Sequence, residues 1–205
     1  MNCLRLNCDL SKPDSVDNCC KKIIEVINHE GVWISPTNTI YGISGNGLSH
    51  KTYNRIQEIK GRSNQPFLML VKDIRIAEKY AFIDKNIPKN LNKYFEEGII
   101  TIIFESKIET TGEKIALRIA SDIISKKIFE KVDIPIISTS ANISGEIYVD
   151  NSVVIYEKFC DKTDLIIDSG KLGNSVPSTI IDVTGWKPAI IRKGYMFERI
   201  ENALI

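Results

Sequence analysis

Three hydroxyls stand two residues apart in PTNTIYG: Thr37, Thr39 and Tyr41, behind the apolar run VWIS and ahead of Gly42. Alternate side chains of an extended chain share a face. The spacing therefore predicts a hydroxyl row able to wall a pocket for a small ligand carrying hydroxyl or carboxyl groups. A threonine-rich strand end closed by a glycine turn has the same pattern. In IKGRS, Lys60 and Arg62 flank Gly61, and Lys51 to Arg75 holds six cations against two acids. A Lys-Gly-Arg turn can grip phosphate oxygens, the guanidinium as a planar fork and the ammonium as a point charge. Cations beside a helix C-terminus are also favoured by its dipole alone.

In PIISTSANISGE an apolar strand runs into Ser138, Thr139, Ser140, Asn142 and Ser144. Small donors on a loop after a strand's carboxyl end sit where α/β folds hold ligands, and hydroxyls with backbone N–H groups can hold phosphate or carboxylate. A serine-rich helix entry is the plainer alternative. The tail segment PSTIIDVTGWKPAIIRKG reads as two strands joined at Thr184–Gly185 and ending in Arg192, with Trp186 packed. By itself that is a hairpin.

Several chemistries are excluded. The chain has no GxxxxGK[ST], and GISGNG does not match GxGxxG, so a nucleotide would be held in another way. With only His29 and His50, neither a histidine-rich metal centre nor a Ser-His-Asp triad is expected. The five cysteines form no CxxC pair and fit no zinc spacing, so no protein metal site is expected. The N-terminus lacks a signal-peptide apolar region and no run of about 18 apolar residues occurs, which points to a reduced, cytoplasmic protein without membrane contact. At 205 residues, 43% hydrophobic, 26% charged and net charge +1, the composition suits a single domain over residues 1–205 with no global pull towards nucleic acid.

The elements that must position these groups follow from periodicity. Helices are expected at Asp14–His29, Ser49–Lys60, Asp73–Tyr80, Pro88–Phe95, Ser121–Lys131 and Asn151–Phe159. Strands are expected at Val32–Ser35, Phe67–Val71, Ile99–Phe104, Ile115–Ile119, Ile134–Ser138, Leu165–Ile167, Thr179–Val183 and Ala189–Arg192. Strands and helices interleave without strict alternation, which predicts a mixed α/β sheet. Ser169–Pro177 is the loosest stretch and is expected to be a mobile loop, one that could close over a site.

In chain order, these segments resemble the YrdC-like family of threonylcarbamoyl-AMP synthases. PTNTIYG resembles the family's Pro-Thr-x-Thr-x-Tyr-Gly, IKGRS its Lys-Gly-Arg-Pro, and IALRIAS its Val-Arg-Val-Pro strand. STSANISG is similar to Ser-Ala-Asn-x-Ser-Gly, and PSTIIDV and IIRKG to the closing Ser-Thr-hydrophobic-Asp and Leu-Arg-x-Gly. The resemblance runs from about residue 14 to 194 and is of the short type, without the extra C-terminal domain of longer members. It implies a single twisted mixed sheet flanked by helices, with a concave, positively lined cavity. It implies condensation of L-threonine, bicarbonate and ATP, with Mg2+, into threonylcarbamoyl-AMP and pyrophosphate for tRNA t6A modification, tRNA and t6A-transfer proteins being possible partners. Carried over, Lys60 and Arg62 would be catalytic; Lys60, Arg62, Ser140, Asn142 and Arg192 would bind ATP; Thr37, Arg118, Ser138 and Ser178 would bind threonine.

The sequence departs from that pattern in places. Ser63 stands for the usual proline, Pro66 falls one residue closer than usual, Ala120 replaces a proline, and Pro-Gly-Pro-x-Thr is reduced to Gly98 and Thr101. Two alternatives use the same features: a non-enzymatic RNA-binding protein, disfavoured by aromatics that do not interleave with the charges, and a carbamoyl-transfer module, disfavoured by chain length and cysteine spacing.

Overall fold

The computed structural model describes residues 3–61, 67–83, 87–108, 112–173 and 176–204. Its fold is α/β, with strands of mixed direction and flanking helices. The chain forms two compact units, Met1–Gln65 with Asp122–Ser175, and Pro66–Ser121 with Val176–Ile205.

In the first unit the strands run in the order β1 (Leu4–Asn7), β8 (Leu165–Asp168), β2 (Val32–Ser35), β3 (Gly42–Asn46), β7 (Ile136–Ser140). Pairings around β8 are parallel; β2–β3 and β3–β7 are antiparallel. Helix α1 (Pro13–Asn28) buries Val16, Cys19, Cys20, Ile23 and Ile27, one helical stripe, and starts with Pro13 where a missing N–H costs nothing. Ile24, expected on that stripe, is only half-buried. Helix α2 (His50–Lys60) is capped as the sequence suggests: Ser49 accepts from the Thr52 amide, and Gly61 ends it in the left-handed region at φ 62°. Each isoleucine fully buried in this core contributes roughly 1.5–3 kcal/mol.

Helices α5 (Ile123–Ile128) and α6 (Ser152–Phe159) complete this unit. The expected helix from Ser121 is much shorter, because Asp122 takes the N-cap and accepts from the Ser125 amide. Strand β3 was not expected. Its two glycines hide the strand pattern, and Gly45 is required there, since a Cβ would lie 2.2 Å from Thr52 Cγ2.

In the second unit the order is β4 (Leu68–Val71), β6 (Lys114–Ile119), β5 (Thr101–Glu105), β9 (Ile180–Asp182), β10 (Ala189–Arg192). Helices α3 (Ile74–Tyr80), α4 (Lys89–Glu96) and α7 (Phe197–Asn202) belong to it. Phe95 and Phe104 meet edge to face at 5.6 Å in its core. Trp186, expected to pack, is 89% exposed, with Lys187 Nζ 4.2 Å from its ring centroid. The short turn that joins β9 to β10 carries it beyond the reach of the core.

Cys8, Cys19 and Cys20 are buried, and burial pushes the Cys19 and Cys20 thiols up to about 12. Thiolate is the reactive form. At pH 8 a disulfide reagent should therefore label at most Cys3 and Cys160 within minutes, and all five after denaturation. Fast labelling of a third thiol in the native protein would contradict this burial.

Candidate active site

PTNTIYG does not form an extended row. Thr37 closes a turn instead: its Oγ1 donates to the Ile40 carbonyl at 2.7 Å and accepts from the Thr39 and Ile40 amides at 3.2 Å. This local hydroxyl-to-backbone bonding outcompetes the strand. Tyr41 points the other way, fully buried, donating to the Gly170 carbonyl at 2.8 Å and accepting from the Ser169 amide at 2.9 Å. Burial drives its phenol far above the usual tyrosine range. Tyr41 is thus a tie within the fold and not part of a hydroxyl wall.

Thr37 and Ser138 do come together, over the bare α-carbon of Gly42. A Cβ there would lie 3.1 Å from Ser138 Oγ and 3.6 Å from Thr37 Cγ2. Ser138, Thr139 and Ser140 lie within β7, paired with Ser44, Ile43 and Gly42, and not on a loop after the strand. The β3 ladder holds them extended, carrying the strand two residues beyond its expected end.

Lys60 is 2% exposed. Its ammonium donates to the Ser140 carbonyl at 2.7 Å, to the Asn142 carbonyl, and to Asn142 Oδ1 at 3.0 Å. An ammonium has three protons, and these acceptors, with Ser140 Oγ at 3.4 Å, surround it. Ser140 Oγ donates to Asn142 Oδ1 at 2.5 Å, and the Ser144 amide bonds to the Lys60 carbonyl at 3.0 Å. Lysine and loop therefore form one knot, in which Lys60, Ser140 and Asn142 stand together. Arg62, with Ser63 and Pro66, lies outside the described residues.

Two arginines of the basic stretch form ion pairs. Arg55 pairs with Asp164 and Arg75 with Asp73, at 2.5 and 3.3 Å. No extended positive face arises from those two arginines.

In the second unit, Arg118 on β6 donates from Nε to the Gly98 carbonyl at 2.7 Å. Ser178, 3% exposed, bonds to Thr101 Oγ1 at 2.9 Å, and its carbonyl accepts from Arg192 Nε and Nη2 at 3.0 and 2.8 Å. Desolvation lowers the Arg192 guanidinium's pKa from its ordinary value. Arg192, Ser178 and Thr101 are one cluster, and Arg118 is held to Gly98. Gly98 and Thr101, all that remains of a longer proline-rich pattern, are thus the residues that make contacts. Ala120 donates its amide to the Val71 carbonyl at 2.9 Å, a bond that proline could not make.

Among the described residues, no three His, Cys, Asp or Glu side chains gather to hold a metal ion. No helix is long and apolar enough to cross a membrane. Within the stretch expected to be a mobile loop, Ser169 is tied to Tyr41, Gly170 to Asp168, and Leu172 and Gly173 to Asp150. Residues 169–173 are anchored, because backbone amides there find fixed oxygen acceptors. No spacing rule in the sequence pointed to Tyr148 or Asp150.

A family model described as telomere recombination, Sua5/YciO/YrdC, matches residues 25–194. The threonylcarbamoyl-AMP synthase of Pyrococcus abyssi is 33% identical over 180 residues, covering 82% of this chain and 52% of that protein. A putative threonylcarbamoyl-AMP synthase of Methanocaldococcus jannaschii is 34% identical over 183 residues, covering 85% and 86%. The crystal structure of P. abyssi Sua5 complexed with L-threonine superimposes with a TM-score of 0.83 at 26% identity, over 99% of this chain and 61% of that one. This chain thus spans about half the length of the first of these relatives.

Proposed function

The chain belongs to the Sua5/YciO/YrdC family, and from that premise we propose that it condenses L-threonine, bicarbonate and ATP into threonylcarbamoyl-AMP and pyrophosphate. The product would serve t6A modification of tRNA in the cytoplasm, handed to t6A-transfer proteins. The observation that carries this function is local: Thr37 with Ser138 over Gly42, and Lys60 with Ser140 and Asn142, are brought together as two sets. These are the residues that the threonine and ATP assignments require. The names of the relatives and the L-threonine in the related structure support it.

The chemistry suits such residues. The threonine amine attacks bicarbonate, giving a carbamate and water, or CO2, giving a carbamate and a proton. A carbamate oxygen then attacks the α-phosphorus, and pyrophosphate leaves. No protein nucleophile is needed. The protein must align the two substrates and offset charge that builds at phosphorus. We assign the nucleotide to Lys60, Arg62, Ser140, Asn142 and Arg192, with Lys60 acting by holding the 140–142 loop in shape. We assign threonine to Thr37, Arg118, Ser138 and Ser178. Mg2+ would arrive on the ATP phosphates and supply charge neutralisation there.

Pyrophosphate release should require ATP, L-threonine and bicarbonate together, each omission abolishing it. Arg62→Ala should lower it at least ~100-fold, the size expected for losing charge stabilisation at a transferring phosphoryl group. Release independent of threonine, or salt-sensitive RNA binding without any release, would overturn the proposal in favour of an RNA-binding role.

A further inference from the structure

Tyr41 sits at a junction of three segments. Its carbonyl accepts from the Ala141 amide at 2.9 Å, beside the Lys60 knot, and its phenol holds Ser169 and Gly170. Its own amide donates to Tyr148 Oη at 2.9 Å. Asp150 follows Tyr148 two residues along the chain. Asp150 then accepts from the Leu172 amide at 3.1 Å and the Gly173 amide at 2.8 Å, one on each oxygen.

These bonds, with the 148–150 chain segment between them, form a closed circuit. From the Thr37 turn, one route runs through the Tyr41 side chain to residues 169 and 170. The other runs through the Tyr41 amide, Tyr148 and Asp150 to residues 172 and 173. Two routes between the same segments fix both their separation and their relative rotation, where one would leave a pivot. A carboxylate taking two backbone amides is also charge-assisted. Ser169 Oγ, buried at this junction, has no hydrogen-bond partner among the described residues. Such a group costs about 1–3 kcal/mol if it stays without a partner.

We propose that Tyr148 and Asp150 are positioning residues, which lock the Thr37 turn and the 169–173 segment into one rigid wall and so set the affinity for L-threonine. Neither touches the substrate. Their role rests on the proposed synthesis of threonylcarbamoyl-AMP and adds to it two residues outside the motifs. Tyr148 joins this segment at the Tyr41 amide, four residues from Thr37, so the effect falls chiefly on threonine.

The test uses Asp150→Ala, Asp150→Asn and Tyr148→Phe in the full chain. Losing a charged acceptor of two amides corresponds to about 10- to 100-fold in affinity. Asp150→Ala should raise the KM for L-threonine by that factor and leave the KM for ATP within ~3-fold. Asp150→Asn keeps one acceptor oxygen and should fall between wild type and Asp150→Ala. Tyr148→Phe should raise the threonine KM by up to ~10-fold, for one neutral bond. Independently of activity, trypsin should cut at exposed Lys171 at least ~10-fold faster in Asp150→Ala, since local opening controls access. Threonine and ATP constants that move together, or unchanged cleavage at Lys171, would overturn the positioning role alone. A wild-type chain that releases no pyrophosphate with threonine overturns the synthase function and this role with it.

Discussion

Lys60→Met is expected to lower pyrophosphate release by at least ~100-fold, and to destabilise the protein as well. Methionine keeps the unbranched stem and removes the charge and three donors. The side chain is 2% exposed, so water cannot take over as donor. The carbonyls of Ser140 and Asn142 and the Asn142 amide oxygen would lose a shared partner. Buried acceptors left without donors cost about 1–3 kcal/mol, more when the partner was charged. A loss of roughly 2–3 kcal/mol, visible as a lower urea midpoint at unchanged slope, is therefore expected. The activity loss has a separate cause. Asn142 Oδ1 is shared by Lys60 and Ser140 Oγ, so removing the ammonium frees both side chains from their common geometry. Lys60→Arg should not rescue, because a planar fork cannot reproduce several acceptors around one nitrogen. Activity within ~3-fold of wild type in Lys60→Met would show that the knot is not needed.

Gly98→Ala is expected to be strongly damaging to the second unit. Gly98 has φ 68°, where an L side chain costs about 1–2 kcal/mol. A Cβ would also stand 2.3 Å from the Ile119 carbonyl and 2.9 Å from Ser121 Cβ and Oγ. The nearest obstacle is backbone in β6, which cannot rotate away. Overpacking adds about 1–3 kcal/mol, so a total near 3 kcal/mol is expected. For a chain of this size that corresponds to a Tm drop of ~6–12 °C. Gly112→Ala is the control: φ is 72°, but nothing lies within 4 Å of its Cβ, so only the backbone term should appear. Equal Tm losses in the two variants would refute the steric account. Because the Gly98 carbonyl holds Arg118 Nε, surviving Gly98→Ala protein should also bind L-threonine more weakly.

Much of the architecture was legible because it depends on local rules. Ser49 and Gly61 bracket α2 as a capping serine and a C-terminal glycine should, and the Val32–Ser35 strand falls where an apolar run is bounded by glycine and proline. The thiols of α1 were readable as small hydrophobes from their helical spacing. Boundaries moved where a side chain competed for a cap, as Asp122 did, or where a partner strand extended a segment, as β3 did for Ser138 to Ser140. Short β1 and α7 passed unseen, since four exposed-leaning residues and one buried isoleucine leave no period to detect.

The sequence by itself determined which residue types are available and in what order: the threonines and tyrosine after β2, the Lys-Gly-Arg turn, the Ser-x-Asn stretch and the closing arginine. Those follow from composition, spacing and helix or strand period, which act over a few residues. Only the tertiary structure decided what each group does. It turned Thr37 into a turn-closing hydroxyl beside Ser138, buried Tyr41 as a tie to residues 169 and 170, and used up the Lys60 ammonium on a loop about eighty residues away. Hydrogen-bond partners distant in sequence are set by sheet register and burial, and a buried polar group must bond to whatever the fold places beside it. That is why the chemistry could be anticipated from the chain, while the identity of the partners could not.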